Sequence, residues 1–342
     1  MLRCIQLAKN GLGTTYPNPM VGSVVVYEDR IIGEGWHFKA GQPHAEVNAI
    51  ANVTDTSLLK NATIYVSLEP CSHFGKTPPC ADLIVKHGIK KVVIGSTDPN
   101  PKVAGAGIVI LKKAGCDVIT GVLEKECRQL NKRFFTFHLK KRPFIVLKWA
   151  QTANGFIAPF ASERTKKEPV WITNETSRTA VHKMRAAESS ILVGTKTVLA
   201  DNPSLTVRDW EGSSPLRVVI DRELKIPEDA NVFSSDAKTL VITEKEKLDT
   251  EKIQYKQMSF SEELPKQIAS VLFHSNIHSV LIEGGRKTLQ SFIDADLWDE
   301  AFVYTGITEF NDGILAPAFS GDLLSEEKIG LDSVQHFKNT SL

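Results

Sequence analysis

Two short stretches of this chain carry residues whose types and spacing could do chemistry. They are Pro43-His44-Ala45-Glu46 and Pro70-Cys71-Ser72-His73-Phe74-Gly75-Lys76-Thr77-Pro78-Pro79-Cys80. One imidazole, from His44, and two thiolates, from Cys71 and Cys80, would hold one Zn²⁺ and leave a fourth position for water, the open coordination that a catalytic zinc needs. Glu46, two residues from the histidine, can take that water's proton without being a ligand. A dication with two thiolates and a neutral imidazole sums to zero charge, so the metal acidifies its water less than a three-histidine site would, and a nearby base matters more. Thiolate softness and a tetrahedral preference point to zinc, with iron the other metal the pattern admits. A purely structural zinc would need a fourth protein ligand; His73 is the local candidate, and Glu46 would then have no role.

Helices beginning beside these donors must position them. Pro43 and Pro79 sit where helices would begin, and Cys80-Ala81-Asp82-Leu83-Ile84-Val85-Lys86-His87-Gly88 ends on a glycine suited to stop one. Both helix N-termini would then point at the metal, their positive ends favouring the thiolate form of Cys80. Strand-like runs at 21–26, 62–68 and 91–95, each leading through a turn into a helix-like stretch, read as α/β. Residues 124–139 space Cys127, Leu130, Phe134 and Phe137 as the apolar stripe of one amphipathic helix. Lys140-Lys141-Arg142-Pro143 then supplies charge and a proline that cannot continue it, which puts a domain boundary near residue 142 and predicts domains 1–142 and 143–342. The second part repeats the alternation, with strands expected at 144–149, 190–194, 216–221, 239–243, 279–283 and 301–304, and helices at 174–187, 262–274 and 286–295. A polar stretch between Ala158 and Trp171 reads as a surface loop.

Composition excludes several classes. The 342 residues allow about two domains at roughly 150 each. With 42% hydrophobic and 24% charged residues the chain is an ordinary globular one, and no apolar run approaches the roughly 18 residues of a spanning helix. Lys plus Arg (41) against Asp plus Glu (40) leaves +1, so no general attraction to nucleic acid or anionic lipid exists. Five cysteines form a sparse, odd set that argues against a secreted disulfide framework. The start, Met1-Leu2-Arg3-Cys4-Ile5-Gln6, lacks a long apolar segment; no secretory signal and a reducing cytoplasm are expected.

The order His-x-Glu, Pro-Cys, Cys is that of the zinc deaminase signature, with a longer interval between the cysteines than its two residues. Around it, Tyr16-Pro17-Asn18-Pro19-Met20-Val21-Gly22, Gly35-Trp36-His37, the Gly75-Lys76-Thr77-Pro78-Pro79 segment and Asp98-Pro99-Asn100-Pro101 resemble the deaminase domain of the bifunctional deaminase/reductases of bacterial riboflavin biosynthesis. The resemblance continues through Trp171-Ile172-Thr173, the run from Val198 to Arg208 that contains Ala200-Asp201-Asn202-Pro203, and Glu283-Gly284-Gly285, which are similar to the reductase domain. It implies a cytidine-deaminase-like three-layer α/β/α domain followed by a dihydrofolate-reductase-like α/β domain. The implied substrate is a diaminopyrimidinone bearing a phosphoribosylamino group. Its 2-amino group is replaced by oxygen with release of ammonia, and NADPH then reduces the ribosyl group to a ribityl chain. By position, Glu46 relays the proton, while Asn18, His37, Lys76, Thr77, Asp98 and Asn100 match contacts to the base and the ribose phosphate.

In the second domain Ala150, Trp171, Thr197, Asp201, Gly285, Arg286, Lys287, Thr288, Leu289, Gln290 and Ser291 match nicotinamide-cofactor contacts, and Arg185, Leu205, Arg208 and Glu283 match substrate contacts. Read as residues alone, Arg185 and Arg208 could form forked bonds to a phosphate, or Arg185 could lie on a helix's solvent face; Trp171 could be a core anchor. Gly105-Ala106-Gly107 fails the dinucleotide fingerprint because Ile110 stands where its third small residue belongs. Glu283-Gly284-Gly285 is better placed, between a strand and a helix whose free N–H groups could receive a phosphate. Thr152-Ala153-Asn154-Gly155, Pro169 and a longer loop before Trp171 depart from the family pattern. The expected partner is a small phosphorylated pyrimidine, with no nucleic acid and no membrane, in a homo-oligomer. Rival readings are a deaminase joined to a domain that binds nucleotide without reducing the sugar, and a nucleic-acid base deaminase, which the balanced charge and the second domain disfavour.

Overall fold

Short β-branched runs become strands throughout the chain, whose residues 1–72, 78–101, 104–164, 167–260 and 263–341 are described by the computed structural model. These residues divide into two units, Met1–Lys141 and Arg142–Leu342. Among the described residues no helix is long and apolar enough to cross a membrane.

In the first unit β1 (Gly22–Tyr27), β2 (Arg30–Trp36), β3 (Thr63–Leu68), β4 (Lys91–Ser96) and β5 (Asp117–Thr120) form one sheet in the order β2-β1-β3-β4-β5. The run expected to lead into a helix instead turns through Glu28 and Asp29, both at positive φ, into the hairpin partner β2. β1 is antiparallel to β2 and β3, whereas β3, β4 and β5 are parallel. α1 (Leu2–Ala8) covers one face through Cys4 and Leu7 on Val24; α2 (Ala45–Ala51), α3 (Cys80–Lys86) and α4 (Ala106–Lys113) bury Ala49, Ile50, Ile84 and Leu111 against Ile64, Val66 and Ile94 on the other. This is the α/β/α layering expected of the unit.

The helix expected over 124–139 is broken in two, α5 (Glu124–Leu130) and α6 (Lys132–Lys140), with Asn131 between them at φ −102° and ψ 26°. The cause is a hydrogen-bond clip: buried Asn131 accepts the Met20 N–H at 2.9 Å and donates from Nδ2 to the Met20 carbonyl at 2.8 Å. Periodicity detects an apolar stripe, and the stripe survives the break.

In the second unit β6 (Phe144–Gln151), β8 (Ser190–Gly194), β9 (Leu216–Ile220), β10 (Thr239–Thr243), β11 (Ile253–Gln257), β12 (Ser279–Ile282), β13 (Glu300–Thr305), β15 (Asp322–Ile329) and β16 (Asp332–Lys338) form a nine-stranded sheet among the described residues; β7 (Phe156–Ala158) pairs separately with β14 (Ile314–Leu315). The order β11-β10-β9-β8-β12-β6-β13 is parallel, and the antiparallel pair β16-β15 extends it. Its central strands read as unbroken apolar runs because both faces are covered. On β6, Ile145, Leu147 and Trp149 enter one core and Phe144 and Val146 the other; β12 divides Val280 and Ile282 from Leu281 in the same way. The covering helices are α7 (Glu175–Ala187), α8 (Thr195–Asp201), α9 (Leu264–His274) and α10 (Arg286–Asp294). Arg142, read in the sequence as part of the charged stretch at the domain boundary, is buried; its guanidinium forks onto Asp299 at 2.6 and 2.8 Å, and Asp299 also accepts the Ile145 N–H, tying the start of β6 to the residue before β13.

Candidate active sites

α2 begins one residue after His44 and carries Glu46 in its first turn, so the histidine ring and the carboxyl group face the same space. Cys71 follows the end of β3, and Cys80 is the first residue of α3. His44 Nδ1 lies 3.6 Å from Cys71 Sγ and 3.4 Å from Cys80 Sγ, and all three ligand atoms fall within 4.8 Å of one another. One imidazole nitrogen and two sulfurs gathered this closely, with a buried carboxyl group beside them, fit a zinc ion with an open fourth position. The start of α3 acts on a different sulfur from the one expected: the Cys80 N–H donates to Cys71 Sγ at 3.3 Å and the Ala81 N–H to the Cys71 carbonyl at 3.2 Å. Cys71 is the easier thiolate, its pKa lowered by the Cys80 thiol and, against burial, by His44 and the Cys80 N–H; the Cys80 thiol is raised by the anionic sulfur beside it and by burial. Glu46 is 3% exposed, and burial pushes its carboxyl up to about 7 against the opposing pull of His44.

His37 stands next to this cluster, its ring 5.2 Å from that of His44. Its Nδ1 pairs with the Pro43 carbonyl at 3.1 Å and its Nε2 with the Asn18 amide at 3.1 Å, which assigns Nδ1–H as donor and Nε2 as acceptor; burial lowers its pKa, in keeping with the neutral ring. Asp98 follows β4, and burial pushes it up to about 6, with Glu69 and Cys71 adding to the rise; its Oδ1 accepts the Asn100 N–H at 2.7 Å. Asn18, His37 and Asp98 thus border the cluster. Lys76 and Thr77, and the alternative ligand His73, lie outside the described residues.

A second site forms at the carboxyl ends of β6, β8 and β12, where the strand order reverses, the usual position for a ligand crevice in a parallel sheet. Glu283 ends β12 and takes a two-point ion pair from Arg185, Nε to Oε1 and Nη2 to Oε2, both at 2.8 Å. Arg185 is therefore neither on a solvent face nor a free phosphate fork. Lys148, from β6, lies 3.9 Å from Glu283 Oε2 and 5.6 Å from the centre of the Tyr304 ring. Burial raises the Glu283 carboxyl, but Arg185 and then Lys148 outweigh it and leave it at about 2; burial lowers the Lys148 ammonium against the pull of Glu283. Thr197 Oγ1 accepts the Gly285 N–H at 2.9 Å, so the first donor of the α10 turn is taken from within. A Cβ on Gly194 would meet Thr288 Oγ1 at 2.7 Å and one on Gly284 would meet Thr288 Cβ at 2.8 Å; the two glycines let this edge close around that threonine.

The remaining expected contacts separate by burial. Trp171 is 60% exposed beneath the Arg178 guanidinium, 5.1 Å away, so it is no core anchor. Leu289 is fully buried in the core, and Gln290 is tied to both backbone groups of Ala318 at 2.9 and 3.0 Å; seven consecutive residues of a helical turn cannot all face one ligand, and these two do not. Arg286 and Lys287 are exposed, and Ser291 hydroxyl bonds the Thr288 carbonyl. Leu205 packs in the core at φ 56°, leaving its backbone for any contact. Arg208 Nη1 reaches Thr206 Oγ1 at 3.0 Å, and its N–H donates to His182 Nδ1. Asp201 accepts from Arg164 at 2.6 Å, and Ala150 lies on β6 opposite Tyr304.

Residues 1–96 match the model of the cytidine and deoxycytidylate deaminase zinc-binding region, and residues 143–306 match that of the RibD C-terminal domain. The riboflavin biosynthesis protein RibD of Aquifex aeolicus is 41% identical over 340 residues, covering 98% of this chain and 91% of that protein. The chain belongs to the RibD family. A Synechocystis RibD is 43% identical over 297 residues, covering 83% of this chain and 77% of its own. Two RibD-like crystal structures share the fold: a diaminohydroxyphosphoribosylaminopyrimidine deaminase/5-amino-6-(5-phosphoribosylamino)uracil reductase from Thermotoga maritima (TM-score 0.89, 39% identity, 99% and 97% coverage) and an Acinetobacter baumannii RibD (TM-score 0.88, 34% identity, 99% and 97% coverage). As a RibD protein, the chain is a bifunctional enzyme of riboflavin biosynthesis, with a zinc-type deaminase region and a reductase region.

Two residues of these sites escape a reading by motif. Lys148 had a signal available, a cation interrupting the apolar run Phe144-Ile145-Val146-Leu147 before Trp149. Glu69 precedes Pro70-Cys71 and is buried, where it accepts four backbone N–H groups. Gly105-Ala106-Gly107, which failed as a nucleotide fingerprint, provides two of them.

Proposed function

We propose that residues 1–142 deaminate a phosphoribosylated diaminopyrimidinone to 5-amino-6-(5-phosphoribosylamino)uracil, and that residues 143–342 reduce that product with NADPH to its ribityl form. The observation that carries the first half is the convergence of His44, Cys71 and Cys80 beside the buried carboxyl of Glu46. Bound by these three residues, zinc would supply Lewis-acid activation of a water. Glu46, pushed to about 7, can take a proton on a carboxyl oxygen and return it to the departing nitrogen near neutral pH. His37 and Asn18 offer a neutral ring and an amide to the base, and Asp98, Asn100, Lys76 and Thr77 would hold the base and the ribose phosphate.

In the second half the nicotinamide would supply a hydride. Ala150, Trp171, Thr197, Asp201, Gly285 and Thr288 would hold the cofactor, with Arg286, Lys287 and Ser291 on the same helical turn. Arg208 and the Arg185–Glu283 pair would face the substrate. Lys148 Nζ, whose proton is loosened by burial, can supply the proton that accompanies hydride transfer. The same reading makes the partner a small phosphorylated pyrimidine, the compartment the cytoplasm and the assembly a homo-oligomer.

The test is the loss of NADPH absorbance when zinc-loaded protein is given the diaminopyrimidinone substrate. NADPH oxidation with ribityl product is expected, because reduction follows deamination. A flat trace accompanied by ammonia release would leave a deaminase and refute the reductase reading.

A further inference from the structure

The structure assigns a positioning role to Glu69: its buried carboxyl group fastens the loop that carries Asp98 and Asn100 to the strand end that carries Cys71, and so sets substrate affinity in the deaminase site. The inference rests on the deaminase reading above. Glu69 lies between β3 and Cys71, and its two oxygens divide four backbone donors between them. Oε2 takes the Asp98 N–H at 3.2 Å and the Gly105 N–H at 3.0 Å; Oε1 takes the Gly107 N–H at 3.0 Å and the Ile108 N–H at 3.4 Å. Its own N–H donates to the Ser96 carbonyl at 2.9 Å, which closes the connection back to the end of β4.

Two glycines make this possible. Gly105 caps α4 at φ +81°, a conformation that turns its N–H inward and that side chains rarely adopt. A Cβ on Gly107 would meet the Pro70 carbonyl oxygen at 2.1 Å, so only glycine lets α4 approach the Pro70-Cys71 backbone. The start of α4, the Asp98 turn and the metal-ligand strand end therefore behave as one body. Four donors on one buried carboxyl exceed what holding a turn requires: one is the Asp98 N–H, in the loop that reaches the substrate, three come from Gly105, Gly107 and Ile108 at the start of α4, and none comes from His44, Cys71 or Cys80. Within that loop the Asp98 carboxylate spends one oxygen on the Asn100 N–H at 2.7 Å, so displacing the Asp98 backbone displaces both side chains together.

Glu69→Gln retains size but replaces one acceptor by a donor that faces backbone N–H groups. In full-length, zinc-loaded protein, ammonia release should show KM for the diaminopyrimidinone substrate raised about tenfold or more, with kcat within about threefold of wild type. Zinc content should stay at one per chain, and reduction of supplied 5-amino-6-(5-phosphoribosylamino)uracil should be unchanged. Gly107→Ala, which pushes α4 off the same carboxyl from the other side, should give the same split, and the double variant little more than either alone. An unchanged KM in Glu69→Gln, or zinc lost in step with activity, overturns the inference. If neither variant folds, hydrogen exchange of the wild type decides: slow Gly105 and Gly107 amides that quicken no sooner than the flanking helix are expected, and open-loop rates at these amides refute it. A wild-type protein that releases no ammonia would instead sink the deaminase reading itself.

Discussion

Glu46 and Glu283 are the same residue type, both largely shielded from water, and their surroundings drive them in opposite directions. Burial, opposed chiefly by His44, lifts Glu46 to about 7, where a carboxyl group can both accept and return a proton. Burial between Arg185 and Lys148 leaves Glu283 at about 2, fit for holding cations in place and unfit for proton transfer near neutrality. Replacing Glu46 by Gln should therefore lower the rate of ammonia release by about a hundredfold or more while zinc content, read by elemental analysis, stays at one per chain. Wild-type turnover in that variant would remove Glu46 from the role of base. The position of Glu46 beside the His44 cluster was legible because it stands two positions after His44 in the chain. That of Lys148 was not, because its partner Glu283 is far along the chain and meets it only across paired strands β6 and β12.

Among elements, the break between α5 and α6 shows how a single polar side chain overrides a helical pattern. Asn131 leaves the helix to satisfy both backbone groups of Met20, which leads into β1 and stands two residues from Asn18. Asn131→Ala would leave those buried groups unpartnered, and chemical denaturation should show the first unit destabilised by about 2 kcal/mol or more. A change under about 0.5 kcal/mol would mean that water replaces the amide at no cost and that the break has another origin. The helix expected over 174–187 fared better: α7 begins after Asn174, whose side chain caps it by accepting the Ser177 N–H at 2.9 Å. The hairpin β1-β2, the edge strand β15 and its neighbour β16 went unseen, the first because Gly33, Glu34 and Gly35 interrupt the apolar residues of Arg30–Trp36, the others because neither carries an apolar run to announce it.

For the molecule as a whole, each unit holds its own core and its own set of titratable side chains, and among the described residues the His44, Cys71 and Cys80 cluster that could hold a metal lies in the first unit. Removing zinc with a chelator should therefore abolish ammonia release while leaving NADPH-dependent reduction of supplied deaminated substrate within about twofold of the untreated protein. Parallel loss of both activities would show that the metal supports the second unit's folding or chemistry. The RibD family's pairing of the two regions in one chain fits their order of action, since the product of the first is the substrate proposed for the second.

From residue order alone followed the α/β class, the grouping of His44, Cys71 and Cys80 with Glu46 beside it, most central strands and the ends of α3. These depend on neighbours within a few bonds or a few turns, so local spacing carries the information. Folding chose which sulfur the start of α3 supports, paired Arg185 with Glu283, buried Leu289 and Arg142, and turned Gly105-Ala106-Gly107 toward Glu69. Each of these is a contest among groups far apart in the chain for one buried partner, and burial makes an unpartnered polar group costly enough that the assembled packing, not the local pattern, settles it.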